Sequence, residues 1–200
     1  GFGRFGQVVS QALLSEKAEV TIIDNDVEMI QAAGTFGFRI YYGDGTRLDV
    51  LRAAGAGSAS LICVCVDKQE ASEKIVELVK AEFPLAKLFV RSFDRQQTLA
   101  LRKEGVDYEI REVLESALVF GREALVALGV DPMTADETVV DLRKRDEQRL
   151  EIQMHEGLAA GRHLMHPQVR PTPLTEPVRK AQPLNAEAED VLSDETRFSG

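Results

Sequence analysis

From Gly1 to Ile110, short runs rich in β-branched residues alternate with segments whose apolar positions recur at helical spacing. Glu19–Asp24, Phe38–Tyr42, Leu61–Val66, Lys87–Arg91 and Tyr108–Ile110 predict strands. The stretches between them carry helix start and stop signals. Asp26 can cap a helix that ends near Gly34 or Gly37. Thr46, with Asp49 three residues on, can cap a short helix that stops near Gly55. Asp67 and Glu70 form a cap pair for Lys68–Glu82, which Pro84 ends, and Asp94 can cap a helix to Lys103, closed by Gly105. This alternation predicts an α/β fold, a doubly wound parallel sheet of the Rossmann type with right-handed crossovers. Such a sheet has about six strands. A strand is expected directly before Gly1, so the first strand of the fold is read as largely missing from this chain.

The period changes after Ile110. Val113, Leu114, Ala117, Leu118, Phe120, Ala124, Leu125 and Leu128 predict one helix over 112–128 with a broad apolar face. Two readings fit: packing on its own sheet, or a crossover that pairs with a second copy. A second helix, from about Ala135 to Glu156, is strongly charged. Its apolar residues Val139, Leu142, Leu150, Ile152 and Met154 make only a ragged stripe, so most of its charge is expected on a solvated face. Five of the seven prolines follow His166, ahead of an acidic end. The expected division is a nucleotide-binding domain over 1–111, a helical pair over 112–163 and a disordered Pro-rich tail over 164–200.

The turn Gly1-Phe2-Gly3-Arg4-Phe5-Gly6 has the G-x-G-x-x-G spacing of a pyrophosphate cradle. Gly1 permits the tight turn, Gly3 leaves room for the pyrophosphate, and Gly6 lets the helix approach the sheet. The helix after Gly3 would aim its free N–H groups at the phosphates, with Arg4 able to add a charge-assisted bond. Asp24 ends the next strand about 20 residues on, where a carboxylate can accept from ribose hydroxyls. The other reading of Asp24 is a turn or capping carboxylate. Asn25 follows rather than arginine, which favours NAD(H) or AMP over a 2′-phosphorylated nucleotide. Gly43-Asp44-Gly45-Thr46 falls at the same sheet edge and could approach the adenosine half, or could be a plain turn and cap. Asp67, after the third of the predicted strands, completes the candidate nucleotide residues.

Composition narrows the function classes. The formal net charge is −9, which argues against nucleic acid as a partner. No apolar run approaches the ~20 residues of a membrane helix. Cys63 and Cys65 share one face of a predicted strand, a poor geometry for a disulfide. They read as reduced core thiols, with a redox pair as the alternative. No histidine precedes His155, and there is no Tyr-x-x-x-Lys pair. His155, His163 and His166 fall near or in the polar tail, where no metal site is expected. No catalytic residue is assigned.

Three stretches carry a resemblance: Gly1–Gln7, Tyr42–Arg47, and Arg111-Glu112 through Ala117-Leu118, Gly121-Arg122 and Leu128-Gly129. Together they resemble the cytosolic domain of glutathione-regulated potassium-efflux (Kef) antiporters, within the RCK/KTN (TrkA-N-like) class. The resemblance covers 1 to about 130. It implies an upstream transmembrane antiporter domain at the bacterial inner membrane and a homodimer formed through the crossover helix. It also implies NAD(H) or AMP as a bound regulatory nucleotide, and glutathione or its adducts as effectors of potassium efflux. Arg111 matches an arginine that the glutathione-gated members use at the peptide site. Gln11 stands where they have a second arginine, and Asp146 where they have a glutathione-contacting asparagine. An acidic residue there would repel an anionic tripeptide. The competing readings are a fragment of an NAD-dependent oxidoreductase and an RCK subunit of a potassium channel or uptake system.

Overall fold

The computed structural model describes residues 1–34 and 39–165. The expected helix stop at Gly37, the strand start at Phe38, His166 and nearly all of the predicted tail lie outside the described residues. Five strands and seven α-helices alternate in the order α1 (Arg4–Ser15), β1 (Thr21–Asp24), α2 (Val27–Gly34), β2 (Arg39–Tyr42), α3 (Leu48–Ala53), β3 (Leu61–Val64), α4 (Gln69–Glu82), β4 (Lys87–Ser92), α5 (Arg95–Glu104), β5 (Tyr108–Arg111), α6 (Glu112–Ala127) and α7 (Pro132–Glu156). All pairings are parallel, as the sequence predicts. β1 pairs with β2, and β3, β4 and β5 form a second sheet in that order. In the doubly wound order the first strand lies between these two groups. Gly1 and Phe2 sit at that place: the Phe2 amide donates to Asp24 at the end of β1 (2.6 Å), and Gly1 packs on the Cys65 carbonyl beyond β3.

Two apolar clusters hold the layers. Val64, Leu88 and Val90 from the sheet pack with Ile75, Val76 and Val79 of α4, with Phe83 just after it and with Leu101 of α5. Phe2 and Ile22 form the second cluster, with Leu14, Met29 and Ile40 against them. β3 and β4, which pack under α4 and α5, carry the apolar runs that the sequence shows, whereas β2 is mostly exposed.

Several predicted caps differ. α5 starts as expected, with Asp94 accepting from the Gln97 amide (2.8 Å), and Gly105 closes it in the left-handed region (φ 70°). Thr46 does not cap α3. The cap position is Arg47, and the Thr46 amide and hydroxyl both donate to Asp44 (2.9 and 2.7 Å) in a tight Asx turn. Asp67 does not cap α4 either, because its carboxylate is taken by Arg91. α7 starts earlier than the expected Ala135. Asp131 caps it through the Met133 and Thr134 amides (3.0 and 3.2 Å), and Pro132 takes the first position, where its missing N–H costs nothing.

α6 divides its apolar residues between two faces. Leu118 is buried and Leu114 and Leu125 are half-buried, whereas Val113, Ala117, Phe120, Ala124 and Leu128 are exposed. Most of the charge on α7 is exposed, as expected, but part of it is paired with neighbouring elements. Arg143 pairs with Glu115 of α6, Glu147 with Arg102 of α5, and Asp146 with Arg95 and Arg111.

Candidate functional site

The glycine loop, Asp24, Gly43–Thr46 and Asp67 all follow the C-terminal ends of strands or the turn into α1. That edge is where open parallel sheets bind ligands. Each glycine has its own reason. A methyl group at Gly6 would lie 2.0 Å from the Gly1 carbonyl oxygen, so only hydrogen fits. At Gly3 a methyl group would meet nothing closer than Asp67 Oδ2 at 3.9 Å, so the chain itself leaves the space above Gly3 open. Gly3 is also the cap residue of α1 and supplies no side-chain cap, which leaves the first-turn N–H groups available to an anion. Arg4 is exposed beside them, with no ion pair among the described residues.

Asp24 combines the two readings its position allowed. It is a turn carboxylate, with Oδ2 accepting from Phe2 (2.6 Å) and Oδ1 from Asp26 (2.8 Å). Each oxygen keeps a further acceptor site, so the anchoring of the loop leaves capacity for a ribose hydroxyl. Its backbone carbonyl also accepts from Gly43 (2.9 Å), which ties the glycine loop to the Gly43–Thr46 turn. Asn25 is exposed beside it. In that turn a methyl group at Gly43 would lie 2.7 Å from Val50 Cγ1, so the Val50 side chain would have to shift, while Gly45 has ordinary room. The Thr46 amide and hydroxyl hold the Asp44 carboxyl below its usual range.

Arg91 belongs to this site and is absent from the sequence-based candidates. It lies near the end of β4 with its side chain 14% exposed. Its guanidinium pairs with Asp67, with Glu112 at the start of α6 (2.5 Å), and lies 5.6 Å over the Phe5 ring. One cation thus joins the glycine loop, the turn after β3 and the crossover helix. The available signal was a charged residue at the C-terminal end of a buried strand, a position that reads as functional in parallel α/β folds.

Cys63 and Cys65 are free thiols beneath the loop. Burial pushes the Cys63 thiol up to about 11 and raises Cys65 as well, so both are neutral near pH 7 and poor nucleophiles. This favours the core-thiol reading over a redox pair. Among the described residues no cluster of His, Cys, Asp and Glu is arranged to hold a metal, and no helix is long and apolar enough to cross a membrane.

Arg111 lies apart from the loop, as the last residue of β5 and the cap residue of α6. It borders a cleft of about 480 Å³ between α5, β5, α6 and α7. The sequence expects Arg111 to meet a ligand carboxylate, with Asp146 opposing that ligand. In the structure the two residues pair with each other, and Arg95 binds the same carboxylate. Gln11 is exposed on α1.

The family model of the TrkA-N domain matches residues 1–112. The chain belongs to the TrkA-N domain family. Among curated proteins, this TrkA-N domain and its extension are 38% identical over 194 residues to a "Glutathione-regulated potassium-efflux system protein" of Haemophilus influenzae (strain ATCC 51907 / DSM 11121 / KW20 / Rd). That match covers 97% of the chain and 31% of the relative, so the chain spans about a third of that protein. Among solved structures, "Shewanella denitrificans Kef CTD in AMP bound form" superposes with a TM-score of 0.71 at 32% identity, over 77% of this chain and 94% of that one. "GsuK channel bound to NAD" shares the fold at a TM-score of 0.52 and 14% identity, over 62% of this chain and 22% of that one. The TrkA-N match covers the glycine loop, Asp24, the Gly43–Thr46 turn, Asp67, Arg91, Arg111 and Glu112.

Proposed function

We propose that this TrkA-N domain is the cytosolic regulatory part of a bacterial inner-membrane potassium/proton antiporter, and that it binds AMP or NAD(H) as a ligand. The observation that carries the reading is the open space above Gly3, at an uncapped helix N-terminus, beside a carboxylate with acceptor capacity. A pyrophosphate or phosphate fits the amides, and the ribose fits Asp24. AMP in the Shewanella Kef domain and NAD in the GsuK channel support an adenosine nucleotide here. The nucleotide is read as sensed rather than reduced, in line with the Shewanella Kef domain, whose AMP carries no nicotinamide to reduce. Gly1, Gly3, Arg4, Phe5 and Gly6 would hold the phosphates. Asp24 and Asn25 would face the ribose, and Asp44, Gly45, Thr46 and Asp67 would border the ligand.

Regulation would act by population shift. A nucleotide above Gly3 faces Asp67, Asp67 shares Arg91 with Glu112, and Glu112 begins α6. The exposed stripe of α6 would pair with a second copy and pass the bias to the membrane domain. Glutathione is the weaker part of the reading, since Arg111 already holds a carboxylate of its own chain. Potassium efflux from vesicles carrying the full-length protein tests the proposal. Efflux should change on adding AMP or NADH at the cytosolic face. A rate indifferent to every adenosine nucleotide would refute it.

A further inference from the structure

Asp146 is held between two arginines. Its two oxygens are divided between two guanidinium groups, Oδ1 on Arg95 and Oδ2 on Arg111. Arg111 Nη1 lies 3.5 Å from Oδ1 as well. The three side chains are only 18%, 12% and 17% exposed for Arg95, Arg111 and Asp146. Of the neighbouring guanidinium groups, Arg102 takes Glu109 (2.7 Å) and Glu147 (2.6 Å) and Arg143 takes Glu115 (2.8 Å), whereas Arg149 has no ion pair among the described residues and its buried Nε has no hydrogen-bond partner. Arg95 has one further acceptor, Gln153 Oε1 at 3.2 Å. Asp146 is therefore the one carboxylate paired with either Arg95 or Arg111 among the described residues. Burial and the nearby arginines 111, 149 and 102 pull Arg95 down to about 10, which reflects how much positive charge is crowded here.

The cleft beside this pair is about 480 Å³, within the range of small-ligand sites. Of the two guanidinium forks that hold Asp146, Arg111 lines the cleft and Arg95 does not, so Arg111 is the carboxylate seat on the cleft side. We propose that Asp146 sets the specificity of this cleft: its carboxylate, held on its other oxygen by Arg95, fills the Arg111 seat from within, so free carboxylate ligands are excluded and α7 is latched to α5 and β5 without one. Glu147 and Arg143, one turn around the same face, hold α7 to α5 and α6 and keep Asp146 aimed at the seat. The inference is independent of the nucleotide reading, because the cleft and the glycine loop share no residue.

Calorimetric titration of the 200-residue chain with glutathione and with succinate tests it. The unaltered chain should bind neither probe at millimolar concentration. Asp146→Asn keeps the side-chain volume and removes the charge. It should bind at least one probe about tenfold or more tightly than the unaltered chain, and Arg111→Gln added to it should abolish that gain. Asp146→Ser, compared in the same way, guards against a packing defect peculiar to asparagine. Glutathione binding by the unaltered chain that Arg111→Gln removes would overturn the proposal. So would folded Asp146→Asn and Asp146→Ser chains that gain no affinity for either probe.

Discussion

Alanine at Gly6 disrupts the loop, whereas alanine at Gly3 spares the fold and removes the ligand. At Gly6 the new methyl group would lie 2.0 Å from the Gly1 carbonyl, a backbone atom that cannot swing aside. The loop must move, and with it the Phe2 amide that anchors Asp24. Steric clashes of this kind cost roughly 3 kcal/mol or more. For a domain of this size that lowers Tm by roughly 6–12 °C. At Gly3 the backbone is ordinary extended geometry (φ −64°, ψ −175°) and the nearest atom is 3.9 Å away. Stability there should change little, since the restriction of the unfolded chain is offset by alanine's poorer fit at the cap position of α1. AMP affinity should nevertheless fall about 10- to 100-fold, because the methyl group takes the space the phosphate needs. Thermal melts beside AMP titrations separate the two outcomes. Normal AMP binding by Gly3→Ala would place the nucleotide elsewhere.

Aspartate at Phe120 should convert a dimer into a monomer. Val113, Ala117, Phe120, Ala124 and Leu128 fall on one side of α6 at helical spacing, and Phe120 is 78% exposed. An uncovered apolar stripe of that length marks an interaction surface. In a two-fold pair each loss is counted twice. Removing the ring and adding a charge should weaken association by about 100-fold or more. Sedimentation of both chains at micromolar concentration reads the change. An unaltered chain that stays monomeric there would contradict the pairing.

The strand positions were legible because strands of a covered parallel sheet leave short apolar runs, as at Leu61–Val64 and Leu88–Val90. The glycine loop was legible for a related reason: close approach demands glycine at fixed offsets. The caps were less so. A Thr or Asp ahead of a helix signals a cap only if no stronger partner competes, and Thr46 and Asp67 were taken by Asp44 and Arg91. Those partners depend on the turn and on a strand 24 residues away, which local patterns do not encode. The Asp131-Pro132 start of α7 was present in the sequence but was overshadowed by the first periodic position at Ala135. Arg91 carries no motif; its importance comes from standing between Phe5, Asp67 and Glu112. Asp146 was noticed as a misplaced charge. Only the fold shows that it supplies the anion its neighbours need.

Equilibrium binding of AMP, NADH and NADPH to the unaltered chain tests the central claim most directly. In the proposed placement Asp24 would present a carboxylate to a 2′-phosphate, and Asn25 would offer it no countercharge. Saturable binding of AMP or NADH, at one per chain and more tightly than NADPH, is the predicted result. Tighter binding of NADPH, or no binding of any of the three, would contradict the account.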